Sequence, residues 1–143
     1  MPTVLFLCTG NYYRSRFAEI AFNALAEERG SPWRADSRGL QIDPFNFGPL
    51  SRHTARALEM LAIPLPAERY PLALTEVDLT TAAHVVAVKE AEHRELLEAS
   101  FPDWVERVEF WHIHDLDCAE PKDALPLLHE HVRALFERLV ILA

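Results

Sequence analysis

The stretch Val4-Leu5-Phe6-Leu7-Cys8-Thr9-Gly10-Asn11-Tyr12-Tyr13-Arg14-Ser15 decides the fold. Residues 4–7 form a short continuous apolar run, which suits a strand buried on both faces, and Gly10-Asn11 is a turn signal that ends it. From Ser15 the period changes. Phe17, Ala18, Ala21, Phe22, Leu25 and Ala26 fall at helical spacing until Arg29-Gly30 supplies a stop. The chain therefore opens strand, loop, helix.

Working outward, residues 33–37 read as a second strand, and residues 38–49, rich in Gly, Pro and Asn, as a loop carrying Phe45 and Phe47. Ser51 is a good N-cap for a helix through Ala55, Leu58 and Leu61. Three prolines make residues 64–71 irregular. Residues 84–88 read as a third buried strand and 90–99 as its helix, broken by Pro102. Residues 108–113 alternate like a fourth strand, and 114–121 form a polar loop. A last helix spans 123–142, with Leu127, Leu128, Val132, Leu135, Phe136 and Leu139 on one stripe. Strands alternating with helices predict an α/β fold: a parallel sheet covered on both faces, with ligands at the carboxyl ends of its strands. Cys8 and His114 both fall just past such ends.

At 143 residues, half of them hydrophobic, the chain has the size of one ordinary domain and can bury a core without disulfides or metals. A formal charge of -8 argues against a nucleic-acid partner, which requires a basic face. No apolar run approaches membrane-spanning length, and no basic leader precedes the first strand, so the expectation is a cytoplasmic protein with no membrane partner. Two cysteines 110 positions apart read as free thiols of a reducing compartment.

Cys8 to Ser15 joins a buried strand to a helix N-terminus, where backbone N–H groups without helical partners converge and the helix dipole favours an anion. Such a site also favours a thiolate, which can attack phosphorus. Arg14 can curl back to grip two phosphate oxygens. Gly10 and Asn11 tolerate the left-handed backbone that turns successive N–H groups inward, and Ser15 can donate its hydroxyl to the sulfur. Thr9, Gly10, Asn11, Tyr12, Tyr13 and Ser15 are the candidate phosphate- and substrate-binding positions. No set of Cys or His stands at metal-ligand spacing, although His112 and His114 adjoin the loop, and no metal or other cofactor is assigned.

With Cys8, Gly10, Asn11, Arg14 and Ser15 in these places, the chain resembles the low-molecular-weight protein tyrosine phosphatase family, whose loop reads Cys-x-Gly-Asn-x-Cys-Arg-Ser-Pro. Asp36-Ser37-Arg38-Gly39-Leu40 is similar to the family's Ser-Ala-Gly-Thr segment, and the order of elements matches throughout. The resemblance implies that residues 1–143 form one phosphatase-like domain, a three-layer sandwich with a four-stranded parallel sheet. It also implies a phosphocysteine intermediate, with a phosphotyrosine protein or a small phosphate ester as substrate and inorganic phosphate as product. The family's general acid comes from an Asp-Pro near the C-terminus. Asp115 stands there, with Leu116 in place of the proline and Asp117 as its rival.

Three departures from the family follow. Tyr13 replaces the loop's second cysteine, so that safeguard against over-oxidation cannot operate, and Cys118 is either inert or the partner of Cys8 in a different disulfide. Arg16 replaces the proline and would add positive charge near the mouth of the site. The family's paired tyrosines after the acid are absent, leaving Tyr12, Phe45 and Phe47 as candidate cleft walls. Two other functions stay open: an arsenate reductase, which would need more cysteines than Cys118, and a catalytically weak phosphate- or phosphoprotein-binding member of the same fold.

Overall fold

The computed structural model describes residues 2–142. Four parallel strands, β1 (Thr3–Cys8), β2 (Arg34–Gly39), β3 (His84–Ala87) and β4 (Glu109–Phe110), lie in the order β2-β1-β3-β4. Successive side chains of a strand point to opposite faces. Val4 and Phe6 of β1 and Val86 of β3 accordingly join one core with α1 (Arg14–Glu28), α2 (Arg52–Met60) and α5 (Pro121–Leu142). Leu5, Leu7, Val85 and Ala87 join a second core on the other face, with Leu79 of α3 (Glu76–Thr81) and Leu97 of α4 (Glu90–Ser100). Burial on both faces is why these strands read as unbroken apolar runs.

From β1 the chain crosses outward to β2 and then returns to the far side of β1 to form β3. The strand order reverses between β1 and β3, and in sheets of this kind the crevice beyond the carboxyl ends at that point receives the ligand. The loop after β1 opens into it, and the start of α4 after β3 lies against that loop.

Several boundaries differ from those read in the sequence. β2 begins at Arg34 and runs on to Gly39, because pairing to β1 continues in register up to Cys8↔Gly39. The fourth strand keeps only Glu109–Phe110 of the expected residues 108–113. The chain nevertheless continues beside β3, with Trp111 N–H donating to Ala87 O (2.9 Å) and Ile113 N–H to Val88 O (2.7 Å). The short α3 was not legible in the sequence. Its six residues are too few for a helical period, and it is held by a capping box between Thr75 and Asp78.

Candidate active site

The loop after β1 is fixed by its own polar side chains. Asn11 is fully buried with φ 51°, in the left-handed region, and it makes hydrogen bonds at both ends of its amide. Its Nδ2 donates to Ser15 Oγ and Ser37 Oγ, both at 2.9 Å, while its Oδ1 accepts from Arg69 Nη1 (2.9 Å) and Leu72 N–H (3.0 Å). Four local bonds offset the cost of that backbone conformation. Ser15 Oγ lies 2.9 Å from Cys8 Sγ. Because it accepts from Asn11, its own hydrogen is free to point at the sulfur.

Loop carbonyls point away from the crevice. Leu40 N–H donates to Cys8 O, Gln41 N–H to Thr9 O, Ser51 N–H to Tyr12 O and Phe17 N–H to Tyr13 O, at 2.8–3.1 Å. The N–H groups of Gly10, Asn11, Tyr12 and Tyr13 donate no hydrogen bond to any described residue. Immediately behind them α1 begins at Arg14 with no capping side chain and no acid in its first turn. Unpaired N–H groups and an unneutralised helix N-terminus together form a cradle for an anion. Gly39 lets β2 approach this loop, since a Cβ there would stand 2.6 Å from Ile42 Cδ1 and 2.9 Å from Thr9 O. Gly10, expected with Asn11 to adopt the left-handed conformation, does not do so. It serves by closeness instead, its absent Cβ falling 3.2 Å from Asn46 Nδ2.

Arg14 is 2 % exposed. Its Nη1 donates to Ile113 O at 2.9 Å, and its Nη2 donates to Glu92 Oε2 at 2.7 Å and lies 3.3 Å from Asp115 Oδ2. Nε is buried with no partner. Burial disfavours the guanidinium charge, but the Glu92 hydrogen bond and the charges of Cys8 and Asp115 outweigh it and raise the Arg14 pKa. Glu92 also accepts from the Thr9 hydroxyl and faces His93 Nε2 at 3.1 Å. Burial pushes the Glu92 carboxyl up. Hydrogen bonds from His93, Arg14 and Thr9 overcome that push and hold it well below the usual carboxylate range.

Above the loop opens a cleft of about 800 Å³, lined by Cys8, Thr9, Gly10, Tyr12, Tyr13 and Arg14 below and by Phe47, Leu50, His53, Asp115, Leu116 and Asp117 around it. The Tyr12 hydroxyl donates to Phe47 O and ties the two walls together. Tyr13 is buried with its hydroxyl unpaired, and burial together with the nearby Asp115 charge raises its pKa to about 12. Asp115 and Asp117 both reach the cleft, but of the two only Asp115 lies in ion-pair range of Arg14.

Other expectations are corrected. Arg16 does not reach the mouth. It is 3 % exposed, paired with Glu19 at 3.2 Å and absent from the cleft lining. Phe45 and Phe47 are both 92 % exposed, and of the two only Phe47 lines the cleft. Cys8 and Cys118 are both free thiols, Cys118 exposed with Lys89 Nζ at 3.8 Å. Among the described residues no group of three or more His, Cys, Asp or Glu is arranged to hold a metal ion. Glu92, His93, Arg69 and Ser37 were not foreseen. Ser37 lay inside a segment already singled out, but nothing in the sequence linked Arg69 or Glu92 to a loop 58 and 78 positions away.

A thiol at a strand end, an anion cradle and a buried arginine define a cysteine-dependent phosphatase. The family model of the low molecular weight phosphotyrosine protein phosphatases matches residues 3–141, and the chain belongs to that family. A protein-arginine-phosphatase of Bacillus subtilis (strain 168) is 30 % identical over 105 residues, 73 % of this chain and 67 % of its own length. The low molecular weight protein tyrosine phosphatase from T. tengcongensis superposes with a TM-score of 0.78 at 26 % identity, covering 100 % of both chains. The arginine phosphatase YwlE of Bacillus subtilis, solved as a mutant with a phosphorylated active-site serine, has a TM-score of 0.80 at 25 % identity, covering 96 % of this chain and 95 % of the other. No helix among the described residues is long and apolar enough to cross a membrane.

Proposed function

We propose that the protein dephosphorylates phosphotyrosine in protein chains by way of a phosphocysteine on Cys8. The observation that carries this reading is that Cys8, the loop after it, whose N–H groups at residues 10–13 donate to no described residue, and Arg14, whose Nε has no partner among them, meet at one cleft. The thiolate attacks phosphorus while the cradle and Arg14 hold the equatorial oxygens, whose charge grows in the transition state. The P–O bond to the tyrosine breaks, and Asp115 gives its proton to the departing oxygen. Asp115, now a carboxylate, takes a proton from water as that water attacks the phosphocysteine. The products are inorganic phosphate and the restored thiolate.

Tyr12 and Phe47 supply aromatic faces against which a flat phosphoaryl group can stack. A second reading, phosphoarginine, is favoured by the arginine phosphatase relative and by Asp43, Asp115 and Asp117 around the same cleft, which suit a cationic leaving group. With two cysteines in the chain and Cys118 exposed, the thiol cascade of an arsenate reductase has no second resolving cysteine. Two unpaired thiols also support action in the reducing cytoplasm.

The test is turnover of one peptide sequence carrying phosphotyrosine, phosphoserine or phosphoarginine. Phosphotyrosine should give the highest kcat/KM. A higher value for phosphoarginine would install the second reading, and phosphate binding without turnover of any of the three would make the protein a binding module.

A further inference from the structure

No step above uses Glu92, yet its Oε2 receives Arg14 Nη2 at 2.7 Å, the Thr9 hydroxyl, and His93 Nε2 at 3.1 Å. His93 is fully buried, and its Nδ1 accepts from the Lys89 N–H at 3.1 Å. A neutral ring that accepts at Nδ1 carries its proton on Nε2, the nitrogen facing Glu92. A backbone amide thus fixes an imidazole, the imidazole and Thr9 fix a carboxylate, and the carboxylate fixes the guanidinium.

We propose that Glu92 is a positioning residue for Arg14, its hydrogen bond aiming the guanidinium while its charge limits how tightly Arg14 binds phosphate. This rests on Arg14 gripping the phosphoryl group. A guanidinium is a rigid planar fork, so anchoring Nη1 on Ile113 O and Nη2 on Glu92 fixes its plane and leaves Nε free for an anion. Asp115, the other carboxylate near Nη2, is more exposed (39 % against 26 %) and is needed for proton transfer, which leaves Glu92 as the permanent anchor. The negative charge has a separate effect. A carboxylate this close to the phosphate site repels the anionic product and so favours its release.

The two effects separate by substitution. Glu92→Gln keeps an oxygen to accept from Arg14 and Thr9 but removes the charge, and Glu92→Ala removes both. In calorimetric titrations with inorganic phosphate, Glu92→Gln should bind several-fold tighter than the wild type and Glu92→Ala weaker. Glu92→Ala should also lose about 10- to 100-fold in kcat/KM on p-nitrophenyl phosphate, the range for a hydrogen bond to a charged group. If Glu92→Ala does not fold, Glu92→Gln alone decides, and phosphate binding no tighter than the wild type would overturn the inference. Shifts of the same sign for Gln and Ala, or no shift in either, would overturn the inference. Because the titration needs no turnover, a wild type that binds no phosphate would instead overturn the reading of the site itself.

Discussion

The two loops that meet over Cys8 are built in opposite ways. The loop from Cys8 to Ser15 is largely buried, and its polar side chains are tied across the fold: Asn11 by four hydrogen bonds, Ser15 to Asn11 and Cys8, Arg14 to Ile113 and Glu92. The loop that carries Asp115 is half-exposed and mostly self-contained. Asp115 caps its own turn, accepting from the Leu116 N–H at its side chain and from the Cys118 and Ala119 N–H groups at its carbonyl. Leu116, Asp117 and Cys118 face solvent. The first loop must hold charge in place and gains from rigidity, since preorganised donors need no reorganisation during reaction. In the proposed mechanism the second passes protons between a leaving group and water, and a carboxylate at the solvent edge suits that exchange.

Substitutions can break this contrast. The largest effect belongs to the rigid side: Cys8→Ser should lower turnover of p-nitrophenyl phosphate by more than about 1,000-fold, as loss of a covalent nucleophile does, while phosphate still titrates into the cradle. On the exposed side, Asp115→Asn should cost about 100-fold or more in kcat, within the range of a lost general acid. The loss should be larger for phenyl phosphate than for p-nitrophenyl phosphate, whose leaving group needs less protonation. Asp117→Asn should keep near wild-type rates on both, and the reverse outcome would transfer the acid role to Asp117.

Asn11→Ala sharpens the comparison from below. It removes four hydrogen bonds and leaves a non-glycine residue at positive φ without support, so urea denaturation should report a loss of about 2–4 kcal/mol. The rate should fall with it, because the N–H cradle depends on that conformation. The smallest effect concerns pH. Burial lowers the pKa of His93, against the pull of Glu92. Below the ordinary imidazole pKa the unfolded chain therefore binds a proton that the folded chain refuses, and stability falls as pH drops through that window. The urea midpoint should decrease from pH 7.5 to pH 5.5, and His93→Gln should shrink the part of that decrease due to His93.

The buried loop is legible in the sequence and the exposed one much less so, for a physical reason. Strand, turn residues, arginine and helix start lie within a dozen positions, and local order of that kind is written in local patterns. Asp115 was reached by its place in the chain alone, and its choice over Asp117 is supported by a contact with Arg14 that crosses the whole fold. Glu92 and Arg69 lay hidden for the same reason. On a helix rich in acids, Glu92 looks like any solvated charge until β3 sets α4 beside β1. Arg16 misled in the opposite direction, since its place beside Arg14 says nothing of the helix face it occupies.

The strand order has a consequence for how the protein comes into being. β1 pairs with β2 through Thr3↔Arg34 and with β3 through Val4↔His84, so the central strand waits for segments made much later in the chain. Pairings of such long sequence separation form slowly, because loop-closure entropy must be overcome before any contact repays it. Until β3 arrives, Glu92 has no Arg14 to hold and residues 4–7 have no second neighbouring strand. Phosphate binding is therefore a clock for folding, absent while the sheet is incomplete and gained once its centre is built and Glu92 meets Arg14.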